Sequence, residues 1–352
     1  MHIFVAFDWG SEINLDRARE LTSSEKHSFP RKARTPSSIN YQPSPLRARQ
    51  PSIALDLPSL GSVAGEFEVT LFDFGAVSAC LRIPIQIDRR QLTELAGTLS
   101  DRVPIVSEVR KALEPLFQTL TPAIHNPAWS EVAEEYFVFQ VRAGVSPDEV
   151  QQDHQAWVAG IVRLESGVLS ESEIEEATRL KISYSPRDLF VPDWAAAFLI
   201  DSDCDELLDT IAFANVQLLE MRHIDARLDS RLQDTYDLIH RLARRWLPFW
   251  KPHTRTVRVL GELKIEMNVL LERSGSALKL VGDPYLARAY HLVASRFHLE
   301  EWSSNIRSSL NVLEGTYQVL VNQAAIYRAE VLELAIIGLI FFEIVFTLFR
   351  RD

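Results

Sequence analysis

The sequence lacks the local signatures by which most enzymes and metal proteins are recognised. It has two cysteines, Cys80 and Cys204, in no spacing pattern, which excludes a disulfide framework and is typical of a reducing compartment. It has no Walker phosphate loop, no G-x-S-x-G turn and no C-x-x-C pair. We therefore expect a protein without catalytic activity and with no catalytic, metal-binding or cofactor-binding residues. A site assembled from distant residues of the N-terminal half is the alternative that local motifs leave open.

The N-terminus also lacks a targeting segment. Its first residues contain no basic region followed by a long apolar run, and they carry Asp8, Glu12 and Asp16, which a transit peptide avoids. We expect the protein to be made in the cytosol.

Three short matches to functional motifs are incomplete. Residues 72–75 contain the kinase Asp-Phe-Gly triplet without the other kinase elements. The acidic run that starts at Asp201 resembles a calcium loop, but its sixth and twelfth positions are not the Gly and Glu that the loop needs. Glu220 and His223 form one E-x-x-H pair, whereas a di-iron bundle needs two. None of the three predicts a site.

Length, apolar content and charge bound the class of protein. A chain of 352 residues with 47% hydrophobic content can form one large or two medium domains. The net charge of −11 is unevenly placed: residues 131–179 hold eleven acids against three basic residues, and residues 26–55 hold six Lys or Arg and no acid. Such asymmetry affects solubility and steering, and it says little about fold.

The first 200 residues predict an α/β domain. Runs of β type at 3–7, 66–88 and 189–200 alternate with helical patterns. Ser146-Pro147 begins a predicted helix at 148–164, because serine caps a helix and proline is tolerated at its first position. Residues 25–58 are basic and contain six prolines, which predicts a disordered Ser/Pro-rich linker.

Residues 201–330 predict a helical domain with a coiled-coil stalk. Helical patterns occupy 205–247, 256–273 and 284–349, and the last of these would run for about 65 residues, a length typical of coiled coils or membrane helices. Apolar residues recur in it at alternating spacings of four and three, which indicates a seam that other copies of the chain can cover. The predicted self-association residues are Ile306, Leu310, Leu313, Tyr317, Leu320 and Tyr327, and the same spacing includes Ala324, Val331 and Leu334. Cover from within the chain is the alternative.

The C-terminal segment 331–349 predicts one membrane span. Fourteen of its nineteen residues are Val, Leu, Ile or Phe, and together they favour insertion by about 4 to 8 kcal/mol. The central carboxylate of Glu343 opposes insertion by roughly 2.5 to 3.5 kcal/mol, so the margin is small. The predicted anchor residues are Ile336, Ile337, Leu339, Ile340, Phe341 and Phe342. We expect a tail-anchored protein of the cytoplasmic (inner) membrane, with the lipid bilayer as partner and the bulk of the chain on the cytoplasmic side. A core helix surrounded by protein is the alternative.

A basic and aromatic stretch at 240–258 predicts a contact with RNA or lipid. It contains six Lys or Arg and no acid, with aromatic residues interleaved. Phosphate tracks combined with base stacking use this composition, and so do membrane interfaces. The candidate contact residues are Arg241, Arg244, Arg245, Trp246, Trp250, Lys251 and Arg255. Packed aromatics at a helix C-terminus are the alternative.

Three segments resemble the required-for-meiotic-nuclear-division family. They are residues 72–77 (FDFGAV), residues 212–220 (AFANVQLLE) and residues 328–344, which end in a Leu-Glu, Ile-Ile, Leu-Ile and Glu pattern. The resemblance implies an α/β region, a helical half and a hydrophobic C-terminal helix, without catalytic residues. It also implies a link to meiotic division or to support of translation at the mitochondrial inner membrane.

These observations together predict an α+β fold in three parts. The parts are an α/β domain over 1–200, a helical domain with a coiled-coil stalk over 201–330 and one C-terminal transmembrane helix over 331–349. The predicted function is a membrane scaffold that binds itself and a further protein partner. A membrane-tethered RNA- or ribosome-binding module that supports translation is the competing hypothesis.

Overall fold

A computed structural model of the chain describes residues 1–22, 25–26, 44–57, 60–99, 104–141, 146–243, 261, 265 and 284–350. The chain divides into two compact units that alternate along the sequence. Unit 1 comprises Met1–His223 and Glu272–Trp302, and unit 2 comprises Ile224–Leu271 and Ser303–Asp352.

Unit 1 contains a mixed β-sheet. The strands are β1 His2–Asp8, β2 Glu12–Ile13, β3 Glu25–Lys26, β4 Leu46–Leu57, β5 Gly61–Leu71, β6 Ala76–Arg82, β7 Ile124–His125, β8 Ala133–Val141, β9 Leu189–Pro192 and β10 Ala196–Ile200. Eight of them form one sheet in the order β3-β4-β5-β6-β1-β8-β10-β9, and β2 pairs with β7. Strands β8 and β10 are parallel, and the other neighbours in the sheet are antiparallel. The α+β class is therefore confirmed.

Helices cover both faces of this sheet. They are α1 Leu15–Leu21, α2 Arg89–Leu99, α3 Ile105–Leu120, α4 Pro147–Asp153, α5 Gln155–Arg163, α6 Glu171–Arg179, α7 Asp205–Ala243, α8 Pro284–Arg296 and α9 Leu299–Phe349, with a 3₁₀ turn at Thr121–Ala123. Side chains of β1 alternate between two cores, as the period of a strand requires. Ile3 and Val5 pack with α2, α3 and α5, whereas Phe4 and Ala6 pack with α7 and α8.

The turn between β5 and β6 explains the glycine in the Asp-Phe-Gly triplet. Gly75 has φ +98°, and a Cβ there would lie 1.8 Å from the backbone oxygen of Gly10. The Gly75 carbonyl accepts a hydrogen bond from the Trp9 amide at 3.1 Å. Glycine is therefore needed at this position both for its backbone angle and because the backbone segments at Gly75 and Gly10 approach closely.

Two predicted helices differ from the structure in their continuity. The capping box at Ser146 and Glu149 is present as expected, but the predicted helix 148–164 is interrupted at His154. The predicted helix 284–349 is divided into α8 and α9 at His298, which has φ +52°. A residue in the left-handed region ends a helix because it turns the chain away from the helix axis. The predicted helix 256–273 lies outside the described residues apart from positions 261 and 265.

Part of the predicted linker is a strand. Residues 46–57 form β4, which pairs with β5 over its length, so the prediction of disorder is wrong for this segment. Pro51 lies at an irregularity in the register between Gln50 and Ile53, where a strand tolerates proline. Alternating apolar residues outweigh the proline content here. Residues 27–43 lie outside the described part of the chain.

The predicted membrane span is not supported. Across the described ranges, no helix combines the length and the apolar character that crossing a bilayer demands. The prediction of a transmembrane segment at 331–349, of a tail anchor and of an inner-membrane location is therefore wrong. The physical reason is that the predicted free energy of membrane insertion is small, because the cost of burying the Glu343 carboxylate offsets much of the gain from the apolar residues. An apolar run of this length fits a protein environment as well as lipid, and composition alone does not separate the two.

Candidate functional site

The last part of α9 presents a run of exposed apolar side chains. We call residues 331–346 the apolar end of α9. Its large apolar residues are 40% to 70% exposed. They are Val331, Leu332, Leu334, Ile336, Ile337, Leu339, Ile340, Phe341, Phe342, Ile344 and Phe346. This set contains all six residues that were predicted as a membrane anchor, and the structure places them on one continuous helix.

The predicted self-association seam changes its surroundings along α9. Ile306, Leu310 and Leu313 are buried within the single chain, so cover from within the chain applies to this part of the seam. Val331 and Leu334, at the same spacing further along, are 40% and 54% exposed. Tyr317, Leu320 and Tyr327 lie on the helix between these two parts, and their side chains are outside the description. The seam is therefore buried at its start and exposed at its end.

Two glycines interrupt the good helix formers of α9. They are Gly315 and Gly338, and each costs the helix about 1 kcal/mol relative to alanine. A Cβ at either position would meet nothing within 4 Å among the described atoms. The described contacts within the chain therefore do not require glycine at either position.

A second candidate site is a polar cluster between α7 and the start of β8. The Asn215 amide donates to the backbone oxygen of Glu134 at 3.1 Å, and the Arg222 guanidinium pairs with the Glu134 carboxylate. Ser130 Oγ lies 3.3 Å from Nδ1 of His223. Burial raises the pKa of Glu134 to about 7 against the opposing effect of Arg222. The cluster can therefore take up a proton near neutral pH.

Sequence reasoning missed this cluster because its members are far apart in the chain. Arg222 and Glu134 are separated by 88 positions. The available signal was the placement of Asn215, Gln217 and Glu220 among apolar residues of α7, where all three are buried. Within the described residues, no group of three His, Cys, Asp or Glu side chains is arranged to hold a metal ion.

A third cluster joins α8 to the rest of unit 1. Asp193, which follows β9, lies 3.0 Å from Arg163 Nε and 3.6 Å from Arg296 Nη1. Arg296 also pairs with Glu176 at 2.9 Å. Burial raises the pKa of Asp193, and the two arginines act in the opposite direction. The backbone oxygen of Asp193 accepts a hydrogen bond from Tyr136 Oη at 2.9 Å, so the network is anchored in the sheet.

The predicted RNA or lipid contact residues are described in only one case. Arg241 lies near the end of α7, and its side chain is outside the description. The other six residues lie outside the described part of the chain. They are Arg244, Arg245, Trp246, Trp250, Lys251 and Arg255. The RNA hypothesis stays a prediction.

Comparison with known proteins identifies the family of the larger part of the chain. Residues 1–206 match the family model described as uncharacterized protein MJ0711, N-terminal domain. The chain is also 23% identical over 243 residues to uncharacterized protein MJ0711 of Methanocaldococcus jannaschii, an alignment that covers 68% of this chain and 74% of that protein. No solved structure matches the chain. The matched range includes the whole sheet and ends at the start of α7. The chain therefore belongs to the family defined by the MJ0711 N-terminal domain.

Proposed function

We propose that this protein is a non-catalytic scaffold that binds another protein chain through the apolar end of α9. The observation that supports the proposal is the exposure of eleven large apolar side chains on one helix. Isolated exposed apolar residues are ordinary, but a contiguous patch above a few hundred Å² marks an interaction site. Side chains of this size and exposure present about 100 Å² each, so the apolar end offers on the order of 1,000 Å².

The free energy available from covering this surface is large. At about 25 cal/mol per Å², removing half of that area from water contributes roughly 12 kcal/mol before the cost of association. A helix also gains little stability from its own backbone in water, so a partner that packs on its side chains stabilises it. Both arguments favour a protein-binding role for the apolar end.

We also propose that the chain is related to the required-for-meiotic-nuclear-division family. The proposed relationship is supported by the resemblance of three segments of this sequence, residues 72–77, 212–220 and 328–344. The first segment forms the turn from β5 into β6, the second lies in α7 and the third lies in α9. The absence of known catalytic residues in that family agrees with a scaffold role.

The test uses the full-length chain and two matched double variants. Ile337→Lys with Phe341→Lys places two charges in the apolar end, and Gln318→Lys with Asn322→Lys places two charges at the same spacing on exposed polar positions of α9. Native mass spectrometry and chemical cross-linking should find the wild type bound to a protein chain, its own or another. The first variant should lose that bound chain, and the second should keep it.

Two results would overturn the proposal. One is a wild-type protein that carries no other polypeptide under any condition in which it is folded. The other is recovery of the wild type on phosphatidylcholine–phosphatidylglycerol vesicles, lost in the first variant, without any protein partner.

A further inference from the structure

We infer that the chain that covers the apolar end of α9 is a second copy of this protein, held by a heptad seam that continues the buried seam of the same helix. The inference rests on the proposed function and names its partner. The seam positions at the alternating spacing of three and four are Val331, Leu334, Gly338, Phe341, Val345 and Leu348. They extend the series that begins at Ile306, and α9 runs through all of them without a break.

The polar residues of the apolar end fit this seam. With Val331 at position a and Leu334 at position d, Glu333 falls at c and Glu343 at f. Thr347 also falls at c. Positions b, c and f point away from the partner helix in a coiled coil. Both carboxylates therefore stay in water when two copies pair, and neither is buried without a partner charge.

Gly338 lies on the same seam. It occupies an a position of the seam, and a Cβ there would meet nothing within 4 Å among the described atoms. A glycine at this position leaves room for a second backbone to approach closely. Gly315 falls at the outer f position by the same count, so it serves as the control.

The residue types favour two strands. Valine occupies two of the three a positions, 331 and 345, and leucine occupies two of the three d positions, 334 and 348. Gly338 and Phe341 occupy the remaining a and d positions. β-Branched residues at a with leucine at d select two-stranded coiled coils. Six large apolar residues at the seam and its flanks contribute about 600 Å² per copy, or about 1,200 Å² for the pair, which reaches the range of specific interfaces. The six are Val331, Leu334, Ile337, Phe341, Phe342 and Ile344.

The experiment compares seam and outer positions that are equally apolar and equally spaced. Leu334→Asp with Phe341→Asp changes two d positions that are 54% and 68% exposed in the single chain. Leu332→Asp with Leu339→Asp changes two b positions that are 63% and 70% exposed. Sedimentation velocity on the full-length chain should give twice the chain mass of 40.1 kDa for the wild type. The seam variant should sediment as one chain, and the outer variant should remain a pair.

The glycines give a second readout. Gly338→Leu should weaken the dimer at least tenfold in Kd, because the new side chain separates the two helices. Gly315→Leu should leave the Kd unchanged. Circular dichroism of both variants should show wild-type helix content, which separates loss of pairing from loss of folding.

Three outcomes would overturn the inference. Equal dissociation by the seam and outer variants would mean that apolarity in general, and no specific seam, drives association. An unchanged Kd for Gly338→Leu would exclude close pairing at that position. A wild type that is monomeric but binds a different polypeptide through Ile337 and Phe341 would leave the proposed function standing and remove the second copy as partner.

Discussion

Glu134 should make the stability of this protein depend on pH, and the size of the effect follows from its surroundings. Its side chain is 8% exposed beside Arg222. Burial raises the pKa from 4.5 to about 7, with Arg222 in opposition. Since the folded state holds a proton that the unfolded state releases between these values, the free energy of unfolding falls as pH rises through this window. The contribution is fully present below pH 4.5 and is lost above pH 7.

The magnitude is about 3 kcal/mol, from about 1.4 kcal/mol for each pH unit between the two pKa values. Glu134→Gln replaces the carboxyl with a neutral group of the same shape. The variant should match the wild type at pH 4.5 and exceed it by up to about 3 kcal/mol at pH 8. Urea unfolding followed by circular dichroism at several pH values between 4.5 and 8 measures the difference.

The control for this experiment is Glu131→Gln, because Glu131 is exposed in the same segment. It should keep the pH profile of the wild type. A Glu134→Gln profile parallel to that of the wild type would refute the reasoning, since it would mean that Glu134 is ionised equally in the folded and unfolded states.

Three further predictions follow from the fold and the sequence. Gly75→Ala should destabilise the protein by at least about 3 kcal/mol in urea unfolding, because its Cβ collides with a backbone oxygen; Gly61→Ala, with φ +71° but open space, should cost about 1 kcal/mol. Arg296→Met should cost about 1.5 to 3 kcal/mol because it removes one of the two cations beside the buried Asp193, while Arg163 remains. Adding Asp193→Asn should recover part of this loss, and a cost below about 1 kcal/mol for Arg296→Met would contradict the prediction. If the stretch 240–258 binds RNA, a triple glutamate variant should abolish salt-sensitive retention on RNA without unfolding, and a wild type with no retention would end that hypothesis. The three changed positions are Arg244, Arg245 and Lys251.

Several helices and strands of unit 1 were predictable from the sequence, because residues close together in the chain determine where such elements begin and end. The alternation in 66–88 becomes the β5–β6 hairpin, and the start of α4 at Ser146-Pro147 forms a capping box. The split at His298 was missed because a left-handed histidine carries no local composition signal. The strand at 46–57 is not evident from composition, because Pro51 and the prolines that flank the strand mask its alternating apolar residues.

One candidate site was also visible in the sequence, and two were not. The surface of α9 was visible as an apolar run with a 4-3 repeat, although composition did not settle what surrounds it. The Glu134 and Asp193 clusters were invisible because each joins residues separated by about a hundred positions. Neither cluster contains a short motif, and only the topology of the sheet brings their members together.

The polar side chains of α7 are buried and find partners within the chain, whereas the apolar side chains at the end of α9 are exposed. Asn215 and Gln217 are buried, and each makes a hydrogen bond, to Glu134 and Tyr290 respectively. Such interactions add specificity, because a buried amide without a partner is costly. The apolar end of α9 instead exposes large apolar side chains of the kind that a protein core normally buries. If a second copy supplies the missing half of that core, formation of the α9 end and association are one equilibrium. The thermal midpoint of that segment then rises with protein concentration by mass action, whereas the midpoint of the sheet does not.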